Sequence, residues 1–286
     1  MRQWRTLFHY LICSNIFISA IATLMSFGTS LLFDLKIDSV YFLFVFFATL
    51  SSYSLHWYFT EIKSDKYIDT EDQFRNHYTI HHRKLLFSQF LIASVTSIYL
   101  LYLQKEIIAF AIPAIIATFI YSAPKFPIKA LKNLEGKALA KTFYLAAVWI
   151  YVTNVIPFLL SNTKWTVDII IFLLANFTFL YVICLLFDYR DQHKDQIKYI
   201  LIDTNRYFDK IIFTLTCIFG ILIIAMIYFK GSIDIMIGLM ATFIFMLVTL
   251  KKSTHTKSDY WFYFVLDGLM ALPSLLSVII HYLLNN

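Results

Sequence analysis

The sequence predicts an all-α integral membrane protein with nine transmembrane helices around a central cavity, and three observations support this fold class. The composition is 59% hydrophobic and 19% aromatic, far above the apolar share of a soluble domain. Nine separate runs are apolar and long enough to cross a bilayer, which takes about 17 to 25 residues per helix. Nearly all Lys and Arg residues fall on one side of those crossings.

Short polar segments separate the predicted crossings, and no hydrophilic domain interrupts them, so we expect residues 1–286 to form one domain. The apolar runs cover approximately residues 7–33, 39–59, 84–104, 106–122, 140–161, 166–187, 210–229, 232–250 and 260–283. Only six glycines and five prolines occur in the whole chain, which leaves these helices largely unbroken because Gly and Pro are the main helix breakers. The first run is too long for a signal peptide, and we expect it to remain as the first helix.

The positions of the basic residues predict the orientation, because Lys and Arg are retained on the cytoplasmic side of a membrane. All but four of the 24 Lys and Arg residues lie in the N-terminal tail or in the inner loops 60–84, 123–141, 188–210 and 251–259. One crossing more or fewer would scramble this separation. We therefore expect nine crossings, a cytoplasmic N-terminus and a location in a bacterial inner membrane. The net charge of +6 suits anionic lipid headgroups and requires no nucleic acid.

Three acids follow the sixth crossing, and their spacing points to a metal. If the helix continues, Asp188, Asp191 and Asp195 lie within about 60° of one helical side, although like charges repel there. Magnesium takes one or two carboxylates together with water and phosphate oxygens, so this acidic stripe predicts a Mg²⁺ site for a diphosphate. In the alternative interpretation, Arg190 and Lys194 neutralise a solvated helix end; we expect these two side chains to project elsewhere.

A Tyr-Ser-Ala-Pro turn ends the fourth crossing at Tyr121, and lysines follow it. Pro124 and Pro127 stop the helix and hold the chain extended. Lys125 and Lys129 then supply compact positive charges that suit a phosphate. The alternative is an ordinary basic loop on the cytoplasmic side.

Two further candidates for substrate binding lie on the same predicted side. Arg75 belongs to a basic stretch, 71–84, that we expect to form an interfacial helix over the inner mouth and to touch a leaving diphosphate. A zinc site at His77 and His81 is an alternative, but the usual accompanying acid is missing. Asp267 lies inside the ninth crossing, where an unpaired carboxylate costs about 2.5 to 3.5 kcal/mol. We expect it to orient a lysine or the substrate, or to accept a structural hydrogen bond.

Together, the Tyr-Ser-Ala-Pro turn, the Asp-Tyr-Arg-Asp-x-x-x-Asp run at 188–195 and the nine crossings resemble the UbiA superfamily of intramembrane prenyltransferases. The resemblance implies two acidic motifs that face each other across a helical cavity and hold Mg²⁺ on an isoprenoid diphosphate. Asp188, Asp191 and Asp195 match the second motif. The first motif falls near 53–61, where only Glu61 retains an acid.

The resemblance implies an enzyme that ionises an isoprenoid diphosphate and transfers the prenyl group to a lipophilic acceptor in the bilayer. Metal ligands would come from the acidic stripe and Glu61, and Lys125 and Lys129 would balance the charge. Two alternatives stay open: a terpene cyclase of the UbiA type, and a lipid-binding relative without catalysis that has lost the first metal motif.

Overall fold

The computed structural model describes residues 2–60, 74–122, 138–195, 204–229, 231–254, 256 and 258–285. Throughout these ranges the regular structure is helical, which confirms the all-α class. Helices are the expected outcome for such apolar runs, because a backbone surrounded by lipid must satisfy its hydrogen bonds within the segment.

The helices begin and end close to the predicted limits of the apolar runs. In chain order they are α1 (Arg2–Cys13), α2 (Ile16–Leu32), α3 (Ser39–Phe59), α4 (Phe74–His81), α5 (Arg83–Leu103), α6 (Glu106–Ser122), α7 (Ala138–Ile150), a π-helical segment (Tyr151–Val155), α8 (Ile156–Leu160), α9 (Val167–Asp195), α10 (Thr204–Tyr228), α11 (Ile233–Ser253), a second π-helical segment (Trp261–Leu266), α12 (Asp267–Leu269) and α13 (Leu272–Asn285).

Six to eight of these segments are candidate membrane spans. Six are unbroken and apolar, namely Ser39–Phe59, Arg83–Leu103, Lys141–Leu160, Val167–Asp191, Phe208–Tyr228 and Ile233–Ser253. Two bent helix pairs raise the number to eight within the described residues if each pair crosses once. The remaining predicted crossing is α6, which is apolar but has only 17 residues. The count of nine therefore stays a prediction.

The first predicted crossing, 7–33, is wrong as a continuous helix, because α1 and α2 meet at an angle of 64°. Asn15 separates them in a left-handed conformation with φ of 65°, which Asn adopts more readily than most residues. Its amide Nδ2 donates a hydrogen bond to Ser54 Oγ of α3 at 3.3 Å. The last predicted crossing, 260–283, is likewise bent by 46° between its two halves, and Pro273 stands in the first turn of α13, where proline is tolerated.

The packing places α9 at the centre of the bundle. Of the most apolar 18-residue stretch of α9, 78% is buried inside the protein. The corresponding buried share is 17 to 44% for the other five unbroken spans. Helix α9 packs against α7, α10 and α11, while α2 packs against α3, α13 and the first π-helical segment. This arrangement holds the acidic stripe at the end of the most enclosed helix.

Described residues from three of the predicted inner basic segments, 74–84, 188–195 and 258–259, meet at one end of the bundle, which we call the basic end. There the start of α4 contacts Asp259 through the backbone amide of Arg75 at 2.9 Å. The end of α9 contacts the second π-helical segment through Arg190 and Tyr263 at 2.8 Å. The candidate site lies at this end.

Candidate active site at the basic end

The helix continues through the acidic stripe, which is the condition under which the three acids share one helical side. Helix α9 runs to Asp195, so the backbone places Asp188, Asp191 and Asp195 on one helical side. The side chain of Asp195 and the whole of Glu61 lie outside the described residues. The described stripe therefore consists of Asp188 and Asp191, one helical turn apart.

Asp188 is held by the neighbouring helix α7. It is half-buried, and it accepts a hydrogen bond from the Thr142 hydroxyl. Lys141 lies within electrostatic range of the same carboxylate. These contacts fix the first acid of the stripe against the start of α7 and beside a positive charge.

Asp191 is more exposed, with 57% of its side chain accessible, and it accepts a hydrogen bond from Arg190 Nε at 2.9 Å. Our expectation that Arg190 would project away from the acids was wrong. The Nε atom of Arg190 faces Asp191, while the two Nη atoms of the same guanidinium face other partners inside the protein.

Those partners form a buried network around Arg190, which is only 3% exposed. Its Nη2 donates to the Tyr263 hydroxyl at 2.8 Å, and its Nη1 lies 3.7 Å from Asp259 Oδ1. The guanidinium also stacks over the rings of Phe262 and Tyr263, with its carbon 4.4 and 4.7 Å from the ring centroids. Arg190 thus ties α9 to the second π-helical segment.

Arg75, a predicted substrate-binding residue, is buried against protein groups. Its Nη1 donates to the Ile12 carbonyl at 2.9 Å, and its Nη2 donates to Asn15 Oδ1. The guanidinium carbon lies 4.1 Å from the centroid of the Trp57 ring. In this arrangement Arg75 joins α4 to the bend between α1 and α2.

Asp267 is buried, as its depth in the ninth run predicted, and stands where the second π-helical segment passes into α12. Among the described residues its carboxylate takes part in no hydrogen bond. Arg75 and Arg190 lie within electrostatic range of it, and so does Tyr53 of α3. The polar setting that a buried carboxylate requires is thus present.

The structure contains a cavity of about 390 Å³ whose lining does not include Asp188 or Asp191. Its walls come from α2, α3, α5, α6 and the continuous segment from α7 to α8, and they are largely apolar. Residues of α9 to α13 do not line it, so this cavity lies to one side of α9. A central cavity stays a prediction.

Tyr121 connects the cavity to the acids. It lines the cavity together with His56, and the two rings stack with centroids 5.9 Å apart. Lys141 Nζ lies 4.9 Å from the centroid of the Tyr121 ring. Asp188 and Asp191 are both within electrostatic range of Tyr121. The role of Tyr121 in substrate binding stays a prediction, and Lys125 and Lys129 lie outside the described residues.

Sequence reasoning missed Lys141, Thr142 and His56 as members of this group. In the sequence Lys141 is only one of the basic residues of the inner loop 123–141, and His56 belongs to no motif. The pairing of Thr142 with Asp188 spans 46 positions, and no spacing pattern in the sequence signals it.

The donor chemistry of the stripe suits magnesium. Asp188 and Asp191 supply two carboxylates one turn apart, and Mg²⁺ takes its remaining ligands from water and phosphate. Among the described side chains, no group of three or more His, Cys, Asp or Glu could hold a metal ion. His77 and His81 stack on each other at 4.1 Å without such a third ligand among those side chains.

No protein-family model, curated protein or solved structure matches this chain. Its function is therefore argued from its own residues.

Proposed function

We propose that this protein is an intramembrane prenyltransferase of the UbiA type, with its basic end facing the cytoplasm of a bacterium. Its substrates would be an isoprenoid diphosphate and a lipophilic acceptor. The proposal rests on one observation: Asp188 and Asp191 lie within electrostatic range of Tyr121, and Tyr121 lines an apolar cavity of about 390 Å³. A diphosphate at the stripe would therefore have room for its hydrocarbon chain next to it.

In this proposal Asp188, Asp191 and Asp195, together with Glu61, would hold Mg²⁺ on the diphosphate. When bound there, the ion would supply Lewis-acid stabilisation of the charge on the diphosphate leaving group. Lys141 supplies a positive charge at the mouth, as Lys125 and Lys129 do from the preceding loop. These charges favour departure of the diphosphate.

The cavity then receives the prenyl cation. Aromatic ring faces attract a cation when they lie within about 6 Å of it, and Tyr53, Tyr121 and Trp149 line the cavity. Its apolar walls keep water from capturing the cation before the acceptor attacks. Asp267, in electrostatic range of Tyr53, would help to orient the substrate, and Arg75 would fix the start of α4 at the same end of the bundle.

We also propose that α6 completes nine crossings. A 17-residue helix is about 26 Å long, at the lower end of the range for a membrane span. With α6 as a crossing, the inner loops keep their basic residues on one side.

A substitution in α9 tests the enzymatic proposal. We expect purified protein with Mg²⁺ to release diphosphate from labelled farnesyl or geranylgeranyl diphosphate, and Asp188→Asn to reduce the rate at least about 100-fold, within the range for an electrostatic catalytic group. Asp168→Asn is the matched control, because Asp168 lies on the same helix about 30 Å away and contacts Ser232 instead. Equal rates for the two variants would exclude the acidic stripe from the reaction.

A second candidate, a lipid-binding relative without catalysis, is favoured by one observation: Arg190 already pairs with Asp191. It predicts that the unaltered protein binds the labelled diphosphate and releases none. A cyclase of the same type would release diphosphate without any acceptor and leave a cyclic hydrocarbon or alcohol, which chromatography of the products distinguishes from a transferred prenyl group.

A further inference from the structure

Helix α4 carries an outward stripe that the proposed reaction does not use. His77, Ile80 and His81 are exposed on one side, at the i, i+3 and i+4 positions of a single helical face. The opposite side is buried, including Phe74 and Tyr78. Helix α4 is therefore amphipathic, and its outer face combines imidazoles with an apolar side chain.

The start of α5 extends this stripe with charge. His82, Arg83 and Lys84 are all exposed, and α5 then continues as a helix whose outer face is apolar. Exposed side chains on that face include Leu85, Phe87, Leu91, Ile92, Val95, Ile98 and Tyr99. Lys84 is about 12 Å from Ile92 along the helix axis. We expect the apolar face of α5 to contact lipid tails. The basic residues lie at the polar end of this face, and this end would therefore stand at the depth of the lipid headgroups.

Helix α1 adds a second apolar edge at the same place. Leu7, Tyr10 and Leu11 are exposed, and the Tyr10 ring contacts the Tyr78 ring of α4 with centroids 6.1 Å apart. The 64° bend directs α1 away from the axis of α2. Because α1 has an exposed apolar edge and turns away from the axis of α2, we expect it to lie along the membrane interface.

The charged side chains of this surface are held in place. Arg83 Nε donates to the Tyr58 carbonyl at 2.9 Å, and its guanidinium carbon lies 5.5 Å from the Tyr58 ring centroid. Burial, together with the charges of His81 and His77, lowers the pKa of His82 below its ordinary value. The exposed His82 ring presents at least one N–H as a hydrogen-bond donor whether it is neutral or protonated.

We propose that these residues form a binding platform for the phosphate headgroups of anionic phospholipids. The platform consists of Leu7, Tyr10 and Leu11 of α1, His77, Ile80 and His81 of α4, and His82, Arg83 and Lys84 at the start of α5. Arg83 and Lys84 attract the phosphate, His82 donates a hydrogen bond to it, and the apolar side chains pack against the first carbons of the acyl chains. His81 Nδ1 lies 2.9 Å from the His77 carbonyl, so its N–H is used within α4. This site is separate from the proposed active site and does not depend on catalysis.

Lipid binding to the purified full chain tests the proposal. The protein is delipidated in a neutral detergent, and bound dioleoylphosphatidylglycerol or dioleoylphosphatidylcholine is counted by native mass spectrometry at matched concentrations. We expect preferential binding of phosphatidylglycerol by the unaltered protein. The double variant Arg83→Gln, Lys84→Gln should weaken the apparent Kd for phosphatidylglycerol about 30-fold, since each basic residue near an anionic surface contributes about fivefold.

The matched control is Lys210→Gln, Lys251→Gln, which removes two exposed charges at the basic end outside the platform. It should leave the Kd within about twofold of the unaltered protein. If the double variant in the platform does not fold, Lys84→Gln alone should weaken binding about fivefold. Equal binding of the two lipids, or equal losses in the platform and control variants, would overturn the proposal.

Discussion

Arg190 is a single residue on which the geometry of the basic end depends. Its guanidinium is buried and contacts Asp191, Asp259 and Tyr263. Asp259 in turn accepts a hydrogen bond from the backbone of Arg75. A buried charge is tolerated when it is paired and costs several kcal/mol when its partner is removed, so these side chains depend on one another.

We predict that Arg190→Gln destabilises the protein by about 3 kcal/mol, in the range for breaking a buried ion pair. The substitution removes a guanidinium that lies 3.7 Å from the buried Asp259 carboxylate, and it removes the stacking on Phe262. Thermal unfolding in detergent, followed by intrinsic fluorescence, measures the loss. Arg190→Lys is the control, because it keeps the charge but loses the planar guanidinium. Its stability should fall between that of Arg190→Gln and that of the unaltered protein. An Arg190→Gln protein as stable as the unaltered one would refute this role.

Sequence could predict the acidic stripe at the residue scale and could not predict the burial of Arg190. The stripe follows from three spacings within one helix, which helical geometry converts into a shared face. The burial of Arg190 follows from Asp259 and Tyr263, about 70 positions later in the chain. Basic residues near a membrane surface are usually solvated, and nothing local distinguishes this arginine from its neighbours.

At the scale of elements, the close approach of α11 and α13 depends on a glycine. A Cβ added to Gly238 would lie 2.2 Å from Ser277 Oγ and 2.8 Å from the Ser277 backbone. Small residues at such contacts allow helix backbones in a membrane to approach closely. Because backbone atoms stand in the way, a larger residue requires the two helices to separate.

We predict that Gly238→Ala destabilises the protein by about 1 to 3 kcal/mol, the usual cost of overpacking. Gly220→Ala is the matched control, because a Cβ at Gly220 of α10 meets nothing within 4 Å. That control should be neutral or stabilise by up to about 1 kcal/mol through its higher helix propensity. The two variants would be compared by thermal unfolding in the same detergent; similar shifts in Tm for both would contradict the proposed contact.

The limits of the elements could largely be predicted from sequence, because each apolar run is closed by polar residues at the membrane surface. The departures from straight helices could not. Asn154 of the first π-helical segment donates to Thr29 Oγ1 at 2.7 Å, and Tyr41 donates to the Val152 carbonyl. These partners on α2 and α3 stabilise the irregular turn, so its cause lies in tertiary contacts and not in the local sequence.

At the scale of the whole molecule, residues far apart in the chain meet at the basic end. They include Arg75, Arg190 and Asp259. Tyr121 lies within electrostatic range of Asp188 and Asp191 and lines the apolar cavity. The sequence predicted a membrane protein with most of its basic residues on one side. The position of the cavity depends on how several helices pack together, which no hydrophobic pattern specifies.

The central claim is that Asp188 and its neighbours bind a divalent cation together with a lipid diphosphate. Electron paramagnetic resonance of Mn²⁺, used in place of Mg²⁺, tests this most directly, because free Mn²⁺ gives a sharp six-line signal that binding diminishes. The titration would contain purified protein, the slowly reacting analogue farnesyl thiodiphosphate, and empty micelles with the analogue as the blank.

We expect the unaltered protein and Asp168→Asn to bind Mn²⁺ beyond the blank only when the analogue is present, and Asp188→Asn to bind at least about tenfold more weakly, a loss of about 1.4 kcal/mol. Binding by Asp188→Asn equal to that of the unaltered protein, or no binding by any of the three beyond the blank, would contradict the claim.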